Sequence, residues 1–486
     1  MDKMPRLITL SILLIAIFYN TALFGEEEMR LSLSDCLDIG LANNLDIKIA
    51  KIESKIKKFD IPIAISVFDT ILEGEISYTD DERAASSTFA GTENLTANYE
   101  ISATKKMPTG TELTVDYSNT RNWTDSIYVT DNPLHTAELS LTLEQPVLKN
   151  IFGYIDRGDV KLSKIEAEQA GLKALSRIED SVADIEKSYW NLVFTYQNVA
   201  LRERLLKQAR RLYGIFKEHL KTGFVEINEL YETEANVRIR KTELAIAENN
   251  LKDASNRLKL LLNIEGAALI LPKNKLAHLE KKADFGQSLN DAFIANRDYR
   301  VEKKALASKK IKLKMKRNSL WPEVDLVGTF ALNGIDRKFE KAQRRLTTDK
   351  HTYYYAGVEF SIPFENREAR GEYNKAKLEK EKAILKLLQV EKNVINDIDE
   401  KVRKVNLNLE NAKRWAKIRE IQALKFEEEE KKLKYGRSNS KTLIDYQNDL
   451  TLATINEYDA LLQYYSSLID LENAKDMLLE KAGVLL

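Results

Sequence analysis

The sequence predicts a mainly α-helical fold with a membrane β part: long helical hairpins present twice, packed as a helical barrel that continues into a transmembrane β-barrel. Three observations predict it. Residues 147–271 and 364–486 contain no proline and are rich in Lys, Glu, Leu and Ala, the composition of very long helices. Apolar residues recur every seven positions through much of both stretches, the signature of helices packed side by side. Outside them lie short segments in which apolar and polar residues alternate strictly, as in a sheet with water on one face and lipid or core on the other.

Taken in order, the chain begins with Lys3 and Arg6, the apolar run Leu7 to Phe18, small residues to Gly25, and then Glu26, Glu27 and Glu28. This is the layout of a secretory signal peptide over residues 1–25, with cleavage near Ala22 or Gly25. The other reading is an uncleaved anchor, although the run falls short of the roughly 20 residues a spanning helix needs. A first structural repeat is expected over 26–265: a short helix around Leu37 to Ile47, strands, and a long helical hairpin. Its strands are marked by Leu72, Ile76 and Tyr78, by Leu95, Ala97, Tyr99 and Ile101, by Leu113, Val115 and Tyr117, and by Ala137, Leu139, Leu141 and Leu143. Its helices carry the heptad series Ile185, Leu192, Val199, Leu206 and, after Gly223, Leu230, Val237, Leu244, Leu251 and Leu258. The stretch from Pro146 to Gly223 corresponds to a helix of about 100 Å, too long for a compact globule of this mass.

Residues 266–284 read as a connecting, equatorial segment, and 285–486 as the second repeat. There Leu289 to Tyr299 answers to Leu37 to Ile47, with Asn296 and Asp298 on Asn44 and Asp46. Strands around Val324, Leu326 and Phe330 and around Val358, Phe360 and Ile362 follow, then a helical hairpin that turns at Gly436. Its heptads, Leu443, Leu450, Tyr464, Leu471 and Leu478, are interrupted by Glu457. The spacing from Pro62 to Pro146 exceeds that from Pro322 to Pro363 by 43 positions, which locates an insertion in the first strand region. Without it one chain supplies four strands, and no membrane barrel closes with fewer than about eight. Closure then requires at least two chains; three would give twelve strands.

The 75 basic and 75 acidic residues leave a net charge of zero. That excludes a polybasic nucleic-acid binder and suits helices with solvated outer faces, in a tube that does not select strongly by overall charge. The one cysteine, Cys36, allows no intramolecular disulfide and reads as an inert helix residue. The four histidines lack ligand spacing, and no phosphate loop, nucleophile elbow or His-Glu-x-x-His motif occurs. The chain is therefore not expected to be an enzyme or to carry a metal or cofactor. The run Glu427 to Glu430 with Lys431 and Lys432 reads as a solvated face.

The signal peptide, the opening Leu33-Ser34-Asp35 to Asn43-Asn44 helix, the strand exits Gln145-Pro146-Val147-Leu148 and Ile362-Pro363-Phe364, and the duplicated Gly-centred turns together resemble the TolC family of outer-membrane efflux and secretion channels. The resemblance covers essentially the whole mature chain. It implies a homotrimer with a twelve-stranded barrel in outer-membrane lipid and a helical tunnel across the periplasm. It also implies docking onto a periplasmic adaptor and an inner-membrane transporter, as the passive exit duct of a tripartite efflux pump or type I secretion system. In the family, acidic residues just beyond the glycine turns ring the closed end of the pore. Carried onto this chain they are Glu229 and Glu232, and Thr442 and Asp445, so that the ring is expected to be weaker or displaced at Thr442. Arg437 lies one position from where the family's gating arginine would fall. The adaptor-docking tips would be Gly223, Phe224 and Val225, and Gly436, Arg437 and Ser438. An equal reading is that the carboxylates complement helix dipoles, and one carboxylate can do both. A competing reading is a secreted coiled-coil scaffold or adhesin whose strands form a soluble β-sandwich.

Overall fold

The computed structural model describes residues 28–84, 89, 91–223, 225–277, 281–348 and 351–481. The expected signal peptide and its cleavage site lie outside the described residues. In chain order the elements are strand β1 (Glu28–Leu31), helices α1 (Leu33–Asn43) and α2 (Leu45–Lys58), strands β2 (Thr70–Asp81), β3 (Asn94–Lys106), β4 (Glu112–Thr124) and β5 (Leu134–Pro146), and helices α3 (Tyr154–Lys221) and α4 (Ile227–Leu262). Then come β6 (Leu269–Pro272), α5 (Phe285–Ala295), α6 (Arg297–Asn318), β7 (Glu323–Asp336), α7 (Phe339–Thr348), β8 (Thr352–Ser361), α8 (Arg367–Lys434) and α9 (Ser440–Ala474). Helices α3 and α8 are 68 residues each, the long helices the proline gaps predict. The chain divides into two compact units, and each takes parts from both halves of the sequence.

The first unit comprises Met1–Lys48, Ile178–Asn290 and Ile398–Leu486. Its core is made of the heptad residues: Ile185, Leu192, Leu258, Tyr464 and Leu471 are buried, while Tyr213, Leu220, Leu230 and Leu450 nearer the turns are only half-buried. Apolar side chains on the same helices stay exposed, among them Ile239, Ile246 and Leu452. Glu457 breaks the heptad pattern because its buried carboxylate pairs with Arg419 of α8. The Asn pair that marks the repeat has a local cause. Asn44 accepts the Ile47 N–H at 3.0 Å and Asn296 accepts the Tyr299 N–H at 2.8 Å, so each starts a helix. Cys36 is fully buried in α1, and burial pushes its thiol up to about 12.

Burial also pushes the Glu186 carboxyl of α3 up to about 7, from an ordinary 4.5. A raised carboxylate destabilises the fold once the unfolded chain ionises. Stability from this group is intact below about pH 4.5, falls as pH rises to about 7, and then stays lower by at most about 3 kcal/mol. Glu186→Gln is therefore expected to raise the thermal unfolding midpoint at pH 8 and leave it unchanged at pH 4; equal effects at both pH values would contradict this.

The second unit comprises Ile49–Arg177 and Asp291–Asp397 and holds a six-stranded antiparallel sheet in the order β2-β3-β4-β5-β7-β8. The insertion adds two strands, β3 and β4, in the middle of this order, not a hairpin outside it. Register puts the predicted apolar sets on one face: Ile76 faces Tyr99, Val115 faces Leu141, Leu139 faces Leu332, and Leu326 faces Val358. Helix α7, which the strand pattern did not predict, packs Ala342 and Leu346 on this face over Ala137, beside Tyr117 and Leu332. Gly334 makes that approach possible, since a Cβ there would collide with the Ala342 carbonyl.

The exit from β5 into α3 is a tight backbone cluster. Gly153 has φ +64 and sits against the Pro108-Thr109-Gly110 turn, where an added Cβ would collide with the Pro108 carbonyl oxygen. Lys106 pairs with Asp156 at 3.0 Å on the same corner. Gly153→Ala is expected to cost at least about 2 kcal/mol, from left-handed strain plus displacement of the turn. The thermal unfolding midpoint measures it.

Candidate functional site

Both helical hairpins of the first unit turn on a glycine in the left-handed region, Gly223 at φ +73 and Gly436 at φ +68. Their N–H groups donate to the Leu220 and Leu433 carbonyls at 3.1 and 3.0 Å, closing each helix C-terminus as the sequence predicts. Nothing lies within 4 Å of a Cβ at either glycine, so both tips are open. Val225 is half-buried and Arg437 exposed; Phe224 lies outside the described residues.

The acidic positions behave differently from one another. Glu232 of α4 accepts the Ser440 hydroxyl at 2.7 Å, and Ser440, the first residue of α9, is fully buried. This contact ties the two hairpins just behind their tips. Asp445 is exposed on α9. Thr442 does structural work: its N–H and hydroxyl both reach Asn439 Oδ1 at 2.9 Å, capping α9. Ser438 donates to Glu429 Oε1 at 2.5 Å, which holds that carboxyl below its ordinary range, and Lys432 joins at 3.2 Å. The run Glu427 to Glu430 is thus not uniformly solvated, because Glu429 is buried under the turn.

Behind the tie lies a polar network that the sequence reading missed. Glu243 of α4 accepts from Arg202 of α3 at 2.7 Å and from Arg240 at 2.9 Å, and Arg240 reaches Asn448 of α9. Arg240 is 3% exposed and lines a cavity of about 580 Å³ between α4 and α9. A signal was present: Arg240 occupies the heptad position that Ala247 and Ala254 fill further along, so a charge stands where an apolar residue belongs. Across the bundle, Gln447 donates to Gln208 at 2.9 Å.

The polar side of the sheet carries the second concentration of charge. Register aligns Glu75 with Glu100, and Asp325 with Glu359, and places Asp116 and Glu138 on the same side. Lys106, at the strand end and already paired with Asp156, is the one lysine or arginine that register puts on this side among the described strand residues. The zero net charge of the chain therefore conceals an acidic face. The sheet strands hold only three lysines or arginines, Lys105, Lys106 and Arg121, and register puts Lys105 and Arg121 on the opposite side.

The chain aligns over nearly its whole length with solved outer-membrane channels. It superposes on the CmeC outer membrane channel of Campylobacter jejuni with a TM-score of 0.64, covering 94% of this chain and 90% of that one at 16% identity. The chain has the outer-membrane channel fold. The open state of the MtrE outer membrane channel of Neisseria gonorrhoeae gives 0.67, covering 94% of each chain at 15% identity. The outer membrane protein VceC of Vibrio cholerae gives 0.66, covering 91% of this chain and 96% of that one at 12% identity. No family model and no curated protein matches the sequence.

Proposed function

We propose that the chain is the outer-membrane exit duct of a tripartite efflux pump or type I secretion system. It acts as a homotrimer, with the sheet closed as a barrel in lipid and the helices forming a tunnel in the periplasm. Cargo passes by conduction, driven by an inner-membrane transporter and a periplasmic adaptor that docks at the Gly223–Val225 and Gly436–Ser438 turns. Glu232 and Asp445, with Glu229 and Arg437, form the constriction when three copies bring the tips together.

The observation that carries this reading is the bare apolar side of the sheet. Ile76 is 81% and Phe360 78% exposed. Among the described residues no helix is long and apolar enough to cross a membrane, so any crossing falls to the strands. A soluble sandwich would need a second sheet over this face, and among the described residues only helix α7 lies on it, which counts against the scaffold or adhesin reading. Fractionation tests the proposal: the protein is expected in outer membranes and, after detergent extraction, as a chemically cross-linked trimer. Recovery in a detergent-free soluble fraction would overturn it.

The acidic side of the sheet adds an expected selectivity. In planar bilayers under a KCl gradient the reversal potential should lie on the cation side, and Glu100→Gln with Asp116→Asn and Glu138→Gln should move it toward zero. An unmoved potential would show that these carboxylates do not line the conducting path.

A further inference from the structure

The inserted hairpin β3–β4 is a full part of the sheet. Strand β3 pairs with β2 along the whole of β2 and with β4 along its own whole length, and β4 pairs with β5 from Glu112 to Asn122. The apolar and polar sides stay in phase across all six strands. The sheet ends in two open edges, β2 with 12 residues and β8 with 10. In hydrocarbon each unpaired backbone N–H or C=O costs several kcal/mol, so neither edge can stay open there. Six strands are too few to close on themselves, since the smallest membrane barrels have about eight.

A second copy of the chain fits both edges. Six is even, so β2 and β8 run in opposite directions, and β8 of one copy lies antiparallel to β2 of the next. The apolar sides then continue without a break, Leu72, Ile76 and Tyr78 beside Tyr354, Val358 and Phe360. Such a head-to-tail contact generates a ring. We propose that each copy contributes all six strands to one barrel, with β8 paired to β2 of the neighbouring copy, so that three copies close eighteen strands and not twelve. This rests on the exit-duct reading. At strand spacings of 4.8 Å and a tilt of 40° the barrel backbone has a radius of about 18 Å, against about 12 Å for twelve strands. The outer-membrane exit accordingly admits cargo of greater cross-section than a four-strand-per-chain design.

The test is disulfide scanning of the full chain in outer membranes, in a Cys36→Ala background. Tyr354→Cys is combined in turn with Leu72→Cys, Ile76→Cys and Tyr78→Cys. At least one pair should link different chains, giving dimer and trimer bands on non-reducing gels. In a second set, Leu139→Cys, Leu141→Cys and Leu143→Cys on β5 are each combined with Ile76→Cys. Here β2 and β5 stand three strand spacings apart, about 14 Å, and no bond should form. A β2–β5 bond within one chain would mean that β3–β4 is left out of the barrel, and it overturns the inference, as does a β2–β8 bond within one chain or the absence of any link between chains. If the extracted wild-type protein is not oligomeric, the duct reading fails first; if it is a trimer with β2–β5 bonds, only the strand count fails.

Discussion

Replacing Glu243 with glutamine is expected to loosen the turn end of the helical bundle by about 1.5 kcal/mol, between the costs of breaking an exposed and a buried ion pair, because its side chain is 30% exposed. Among the described residues Glu243 is the carboxylate that Arg202 and Arg240 share, and without it the two cations are left side by side. Arg240 has no slack to absorb the loss: its side chain is 4% exposed and its Nε–H already lacks a partner. The readout is native-state hydrogen exchange. Amides of α4 and α9 behind the turns should exchange about 10-fold faster, the equivalent of that energy. The pair Arg240→Met with Glu243→Met should recover most of the protection, because a matched apolar pair avoids the unpaired charge. Unchanged exchange in Glu243→Gln would mean that the network stabilises nothing.

The second large effect concerns conduction. Replacing Glu232 and Asp445 together with alanine should raise single-channel conductance in planar bilayers several-fold, if the constriction sits where the tips converge. Two mechanisms are separable. Ser440→Ala removes the 2.7 Å tie to Glu232 and leaves every charge in place, so a rise in that variant assigns closure to the tie between hairpins. Asp445→Ala leaves the tie intact, and a rise there assigns closure to carboxylates from different copies. No rise in any of the three variants would overturn the gate assignment.

Much of this molecule was legible because its determinants are local. Gly223 and Gly436 had to be helix stops, since few other residues tolerate a positive φ, whereas Asn44 and Asn296, legible only as marks of the repeat, each break the expected short helix and start a second one. The heptads gave the buried side of each long helix. Helix α7 escaped notice because ten residues with apolar anchors only at Phe339, Ala342 and Leu346 are too short for a periodic signal, and its partner Ala137 is remote in sequence. Ser440 escaped for a related reason: a serine at a helix start reads as a cap, and only packing shows that Asn439 holds that role while Ser440 turns to Glu232.

By itself the sequence determined where the two long helical hairpins run, which side of each strand is apolar, and that the total charge is zero. Each is a matter of short-range periodicity or simple addition. Only the tertiary structure decided that β3 and β4 join the middle of the sheet, that Glu232 meets Ser440, and that most carboxylates of the strands gather on one side. Strand order, contacts between distant helices and the sorting of charge depend on which segments pair. Two segments with the same alternation satisfy it equally well, and only burial and backbone pairing across the whole sheet choose between them.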